Sequence, residues 1–156
     1  MKGDSHVIAQ LDRYLSIELT GHKQYLLDAS QCQHWGLQRL YQKQLEYSHE
    51  ETRHATRLAA RILFLEGVPA MRDYRPPQPS QDVVAQLRGN LALIAAALEV
   101  LGEGVRIAES AGDFVSRTLF AEMLADEEAH TDWLETQLDL VERIGLGAYL
   151  QTQIHA

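Results

Sequence analysis

An all-α four-helix bundle, with one long crossover connection and a short fifth C-terminal helix, is the fold this 156-residue sequence predicts. Three observations lead to it. Glycine and proline are nearly absent from the first two of four long segments, 4–34 and 37–66, which are rich in Leu, Ala, Gln, Glu and Arg, all strong helix formers. No segment competes with the period of a strand. The breaks are also unevenly spaced, short between the first and second segments and between the third and fourth, but long between the second and third. A single long crossover joining two helical hairpins has that pattern, whereas an up-down bundle has short loops throughout.

The elements follow in order. The first helix is expected over 5–34, with Gly21 its only interruption, and the second over 37–66. Glu66-Gly67-Val68-Pro69 reads as the stop, with glycine just past the helix end and proline beyond it. Arg75 to Ser80 holds three of the four prolines and cannot be helical. Ser80 then reads as the cap of a third helix over 81–111, with Asp82 in its first turn. Ala111-Gly112-Asp113 breaks the chain again, Asp113 serving as a cap for a fourth helix over 113–144. Gly145 and Gly147 interrupt the chain again, and a last short helix is expected over about 147–154. Each long helix would span roughly 40–45 Å, far beyond the common length of about 11–12 residues.

Charge and composition narrow the function. Fourteen Lys and Arg against 22 Asp and Glu give a net charge of −8, which repels nucleic-acid phosphates and favours cations. No apolar stretch approaches the roughly 20 residues of a membrane span. The first ten residues lack the apolar core of a signal peptide, so a cytoplasmic location is expected. Cys32 is the only cysteine and can form neither an internal disulfide nor a thiolate zinc site.

Helical periodicity assigns the inward faces. The first helix presents Val7, Leu11, Leu15, Glu18, His22 and Tyr25; the second presents Leu40, Tyr47, Glu51, His54, Leu58, Ile62 and Leu65. The fourth presents Phe120, Met123, Glu127, His130, Leu134, Leu138 and Val141. Three apolar stripes thus carry acid or imidazole near the middle. A buried, unpaired carboxylate costs several kcal/mol, and one shared cation would relieve all three stripes together. Glu51-x-x-His54 and Glu127-x-x-His130 each set a carboxylate and an imidazole one turn apart, a donor set suited to Fe, Mn or Zn. A third pair, Glu46-x-x-His49, lies roughly 140° around the helix from Glu51 and belongs to another face. Glu46 and Glu50, one turn apart, are either a solvated face or a patch that collects hard cations.

The chain also reads as duplicated. The interval from Glu18 to Glu51, counted back from Glu127, lands on Ile94. The third stripe there is Leu87, Leu91, Ile94, Leu98, Leu101 and Val105, and its nearest acid, Glu99, is again about 140° off. One carboxylate of an otherwise complete set is missing.

Over essentially its whole length the sequence resembles bacterioferritin, a branch of the ferritin superfamily. The resemblance rests on Met1-Lys2-Gly3-Asp4, on Arg61 to Gly67, on Asp113-Phe114-Val115-Ser116-Arg117, on Asp126-Glu127-Glu128 with His130, on Asp132 to Gln137, and on Tyr149-Leu150-Gln151. It implies a single ferritin-like domain over 1–156 and a cage of 24 like subunits storing ferric mineral. It also implies non-haem iron and ferroxidase activity, the oxidation of ferrous iron by dioxygen or peroxide at a di-iron site. By the same resemblance Glu18 and His54 match the ligands of one iron, Glu51 and Glu127 the bridging carboxylates, and His130 the imidazole of the second iron. Tyr25 matches a tyrosine beside the site; Glu46 and Glu50, if they collect cations, would be an inner-cavity iron patch feeding mineral growth.

Two positions depart from the pattern. Ile94 stands where the family has the second iron's terminal carboxylate, and Thr52 where it has a haem-ligating methionine. Five of six ligands remain, so the resemblance implies a slow ferroxidase and argues against haem b in a homopolymer. It leaves a second reading open, a structural or partner subunit of a mixed cage that relies on another bacterioferritin subunit type for complete ferroxidase and haem sites.

Overall fold

The computed structural model describes residues 1–156 as five helices: α1 Ser5–His34, α2 Gln38–Phe64, α3 Val83–Ser110, α4 Phe114–Ile144 and α5 Leu146–Thr152. α1 packs most extensively on α2 and α3 on α4, while α1 also meets α3. No strand forms.

The crossover is laced along α1. Ala70 N–H donates to Asp12 Oδ1 at 2.8 Å, Arg75 N–H to Thr20 Oγ1 at 3.0 Å, Gln78 N–H to Gln24 Oε1 at 2.9 Å and Ser80 N–H to Gln31 Oε1 at 3.1 Å. Loop and helix therefore advance together, and α3 starts beside the C-terminal end of α1. That placement sets α3 antiparallel to α1 and parallel to α2, the topology a long crossover imposes.

Two expected helix ends differ. Asp82, not Ser80, caps α3, accepting from Ala85 N–H at 2.8 Å, because the Ser80 backbone is already committed to Gln31 on both its N–H and C=O. At the end of α2 the left-handed residue is Glu66 (φ 65°), not Gly67. Gly67 is needed for a different reason. A Cβ there would lie 2.7 Å from Ile8 Cγ2 and 2.9 Å from Ile62 Cγ2, so the turn can close on the bundle only without a side chain. Asp113 caps α4 as expected, its carboxylate accepting from Ser116 N–H at 2.9 Å.

The apolar interior is divided. One cluster contains Leu11, Leu15, Ala55, Leu58, Ala97, Phe120 and Met123; the other contains Cys32, Leu40, Leu87, Ile94, Leu134 and Tyr149. On α1, Glu18 falls between the two contributions; on α2, Glu51 and His54 do so, and on α4, Glu127 and His130. α3 passes straight from Ile94 in one cluster to Ala97 in the other. The bundle thus has a polar waist with three polar walls and one apolar wall.

The inward faces carry three local corrections. His22 is only half-buried, as are Leu138 and Val141, which lie where α4 runs past the packed interior. On α3, Leu91, Leu98 and Val105 are half-buried while Asn90, Ala97 and Gly104 are buried, so the inner face is rotated from the leucine stripe. Ile94 lies on both faces and is 2 % exposed.

Candidate metal centre

Glu18, Glu51, His54 and Glu127 converge, each offering one ligand atom within 4.8 Å of the others. α1 and α2 can close around this point because Gly21 faces Glu51, where a Cβ would press to 3.2 Å from Glu51 Oε2. All four side chains are buried, Glu18 fully. Both Glu18 oxygens and His54 Nδ1 lack a hydrogen-bond partner, with 3.5 Å between Glu18 Oε2 and Nδ1. Buried polar atoms ordinarily find partners, so three such orphans facing one point form a cradle for a cation.

Electrostatics lead the same way. Desolvation pushes the Glu18 carboxyl up to about 8, opposed by the neighbouring Glu51 carboxyl and Tyr14 hydroxyl and reinforced by the Glu127 charge. Glu127 rises to about 8 from desolvation and the Glu51 charge. Glu51 is raised well above the carboxylate range by burial and by Glu18. Without a cation these acids hold protons that a metal would displace.

His130 lies beside this group but outside it, stacked on the Tyr47 ring at 3.3 Å and 5.3 Å from the Tyr25 ring, centroid to centroid. Burial and the Lys43 charge lower its pKa to about 3, and its Nε2 has no partner. A neutral imidazole with a free nitrogen is a ready ligand. α3 contributes no ligand atom to the group, and its Ile94 is buried in the apolar cluster with Leu87 and Leu134. Tyr25 is buried, and the charges of Glu51, Glu127 and Glu18 add to desolvation in raising its pKa.

Glu46 is exposed and paired with Lys43 at 3.1 Å, and it lines one groove with the half-buried Glu50. Thr52 is exposed, donates to Ser48 O at 3.1 Å and lies 3.0 Å from His22 Nδ1. Cys32 donates to Gln86 Oε1 at 3.2 Å, and burial lifts its thiol to about 12, which makes it inert at neutral pH.

Two neighbours of the cluster were not legible in the sequence. Tyr14 is fully buried and its hydroxyl donates to Glu127 Oε1 at 3.3 Å. It stands one turn before Glu18, a spacing that could have found it had Leu15 not filled the stripe. Asp126 Oδ2 lies 3.0 Å from His54 Nε2, a contact across helices that no local spacing reveals.

The profile of the family described as "Ferritin-like domain" matches residues 8–144. A bacterioferritin of Brucella melitensis is 42 % identical over 151 residues, covering 97 % of this chain and 94 % of the relative. A bacterial ferritin of Pseudomonas aeruginosa is 40 % identical over 155 residues, covering 99 % and 100 %, and one of Synechocystis is 39 % identical with 99 % of each covered. A buried carboxylate–imidazole cradle in a crossover bundle, and this extent of identity, place the chain in the bacterioferritin family of ferritin-like domains.

Proposed function

We propose that this chain is an iron-storage subunit that binds ferrous iron in the bundle waist and supports its oxidation and deposition as mineral, with one ion position complete and the other deficient. The observation that carries this reading is the convergence of Glu18, Glu51, His54 and Glu127, with both Glu18 oxygens and His54 Nδ1 unpartnered and no ligand atom from α3. Three carboxylates and one imidazole suit a hard or borderline divalent ion. A second ion would share Glu51 and Glu127 and gain only His130. Two ferrous ions bring four positive charges against three carboxylates. Iron is substrate and cargo here, and oxidation by dioxygen or peroxide is fastest when two ions each give one electron.

Assembly belongs to the same reading: a cytoplasmic cage of 24 subunits, alone or mixed with a second subunit type. Phe64, Phe114 and Val115 are more than half exposed and line one groove with Met1 and Leu65, apolar surface suited to burial against another subunit. No helix is long and apolar enough to cross a membrane. The loss of both the fourth carboxylate and a soft donor at Thr52 favours a mixed cage.

Two measurements check these points. Stopped-flow oxidation of ferrous iron by the homopolymer should lack a rapid phase of two irons per subunit; such a phase would show that another donor completes the site. Haem content, read as the pyridine haemochrome after expression with haem supplied, should be near zero. One haem for every two subunits would overturn the argument from Thr52.

A further inference from the structure

His54 faces two ligand sets. Its Nδ1 lies 3.5 Å from Glu18, while its Nε2 lies 3.0 Å from Asp126. Glu50, His54 and Asp126 themselves bring one ligand atom each within 4.8 Å of one another, a second convergence that shares only the imidazole with the first. Glu50 is half-buried and Asp126 exposed, so this set stands nearer solvent.

A groove of about 480 Å³ between α2 and α4 leads to it. Its lining includes Glu46, Glu50, Asp126 and Asp132, with Lys43 the one cation. His130 also lines this groove, 4 % exposed and with its Nε2 unpartnered. An acidic cleft with low-dielectric walls concentrates cations. The charge of Glu50 is felt by Glu18, Glu51 and Glu127 alike, which places the groove's acids within electrostatic reach of the cluster.

We propose that Glu50, His54 and Asp126 form an outer docking site at which a divalent cation is held before it passes to the Glu18–Glu51–Glu127 cluster, with His54 as the common wall. A neutral imidazole has one lone-pair nitrogen and one N–H. When Nε2 holds the outer ion, Nδ1–H donates to Glu18; when Nδ1 holds the inner ion, Nε2–H donates to Asp126. The transfer moves the ring proton from one nitrogen to the other, and the two positions compete for His54. An ion in the inner position therefore weakens the outer one, so docking is transient. The inference rests on the reading that the inner cluster binds metal.

The test uses cobalt(II), which resembles ferrous iron in charge and ligand preference and resists oxidation by air. Crystals of the full-length assembled protein, soaked briefly and for longer, are compared by anomalous scattering, and uptake in solution is followed by visible absorbance. Brief soaks should show metal between Glu50, Asp126 and His54, and longer soaks should move it to the inner cluster. Glu50→Gln and Asp126→Asn keep hydrogen-bonding shape but lose charge. In each, the outer peak should vanish and inner filling should slow about tenfold, with final inner occupancy unchanged. Inner filling at the wild-type rate in both variants, or an inner peak never preceded by an outer one, overturns the docking site alone. Metal at neither position overturns both the docking site and the reading beneath it.

Discussion

Replacing Ile94 with glutamate is expected to add a second tightly bound ferrous ion per subunit and to speed oxidation at least about tenfold, by analogy with the 10–100-fold losses seen when support of a metal site is removed. The same change should weaken the metal-free protein. Ile94 is 2 % exposed and packs in the cluster with Cys32, Leu87 and Leu134, so a carboxylate there is buried among hydrocarbon. Leaving it unpaired costs several kcal/mol or forces it to keep its proton. A second ion held with His130 would remove that cost. Ile94→Glu should therefore melt below the wild type when stripped of metal and recover in zinc, as binding to the native state requires. A variant that melts low and gains nothing from metal would show that Ile94 is packing and nothing more.

The metal-free wild type is expected to lose stability between pH 6.5 and 8. The carboxyls of Glu18 and Glu127 are raised to about 8 in the fold, against 4.5 when exposed, so in this window the folded chain binds more protons than the unfolded one. Stability then falls as pH rises, by up to about 1.4 kcal/mol per pH unit for each carboxyl that keeps its proton. Other groups act lower. Asp28, raised by burial to about 6, has the same sign and is mostly spent by the lower edge of the window. His130, held down to about 3, opposes the trend around and below its ordinary 6.5, so its effect fades across the lower part of the window. Denaturant midpoints of stripped protein at pH 6.5 and 8 measure the slope. Saturating zinc should flatten it, because the acids are then ionised throughout, and metal binding near pH 7 should release protons into a weakly buffered solution. A stripped protein that gains stability over this range would contradict the burial of these acids.

What the sequence disclosed, and what it withheld, follows the range of the interactions. Helix content and the crossover were legible because glycine and proline act locally. The two misread ends, at Ser80 and Gly67, were settled by tertiary contacts: Gln31 claims one backbone, and Ile8 with Ile62 crowds the other. Glu18, Glu51 and Glu127 stood out because charge on an apolar stripe is costly wherever the partner helices lie. Tyr14 and Asp126 stayed hidden, the first as an ordinary aromatic beside Leu15, the second as an ordinary exposed acid. The rotation of the α3 face also escaped, since Leu91 and Leu98 are half-buried while Asn90 and Gly104 turn inward.

The most direct test counts ions. Anaerobic calorimetric titration of ferrous iron into stripped wild-type protein should give one tight ion per subunit, with protons released as it binds. Two ions of equal, high affinity per subunit would contradict a waist whose fourth wall carries no ligand.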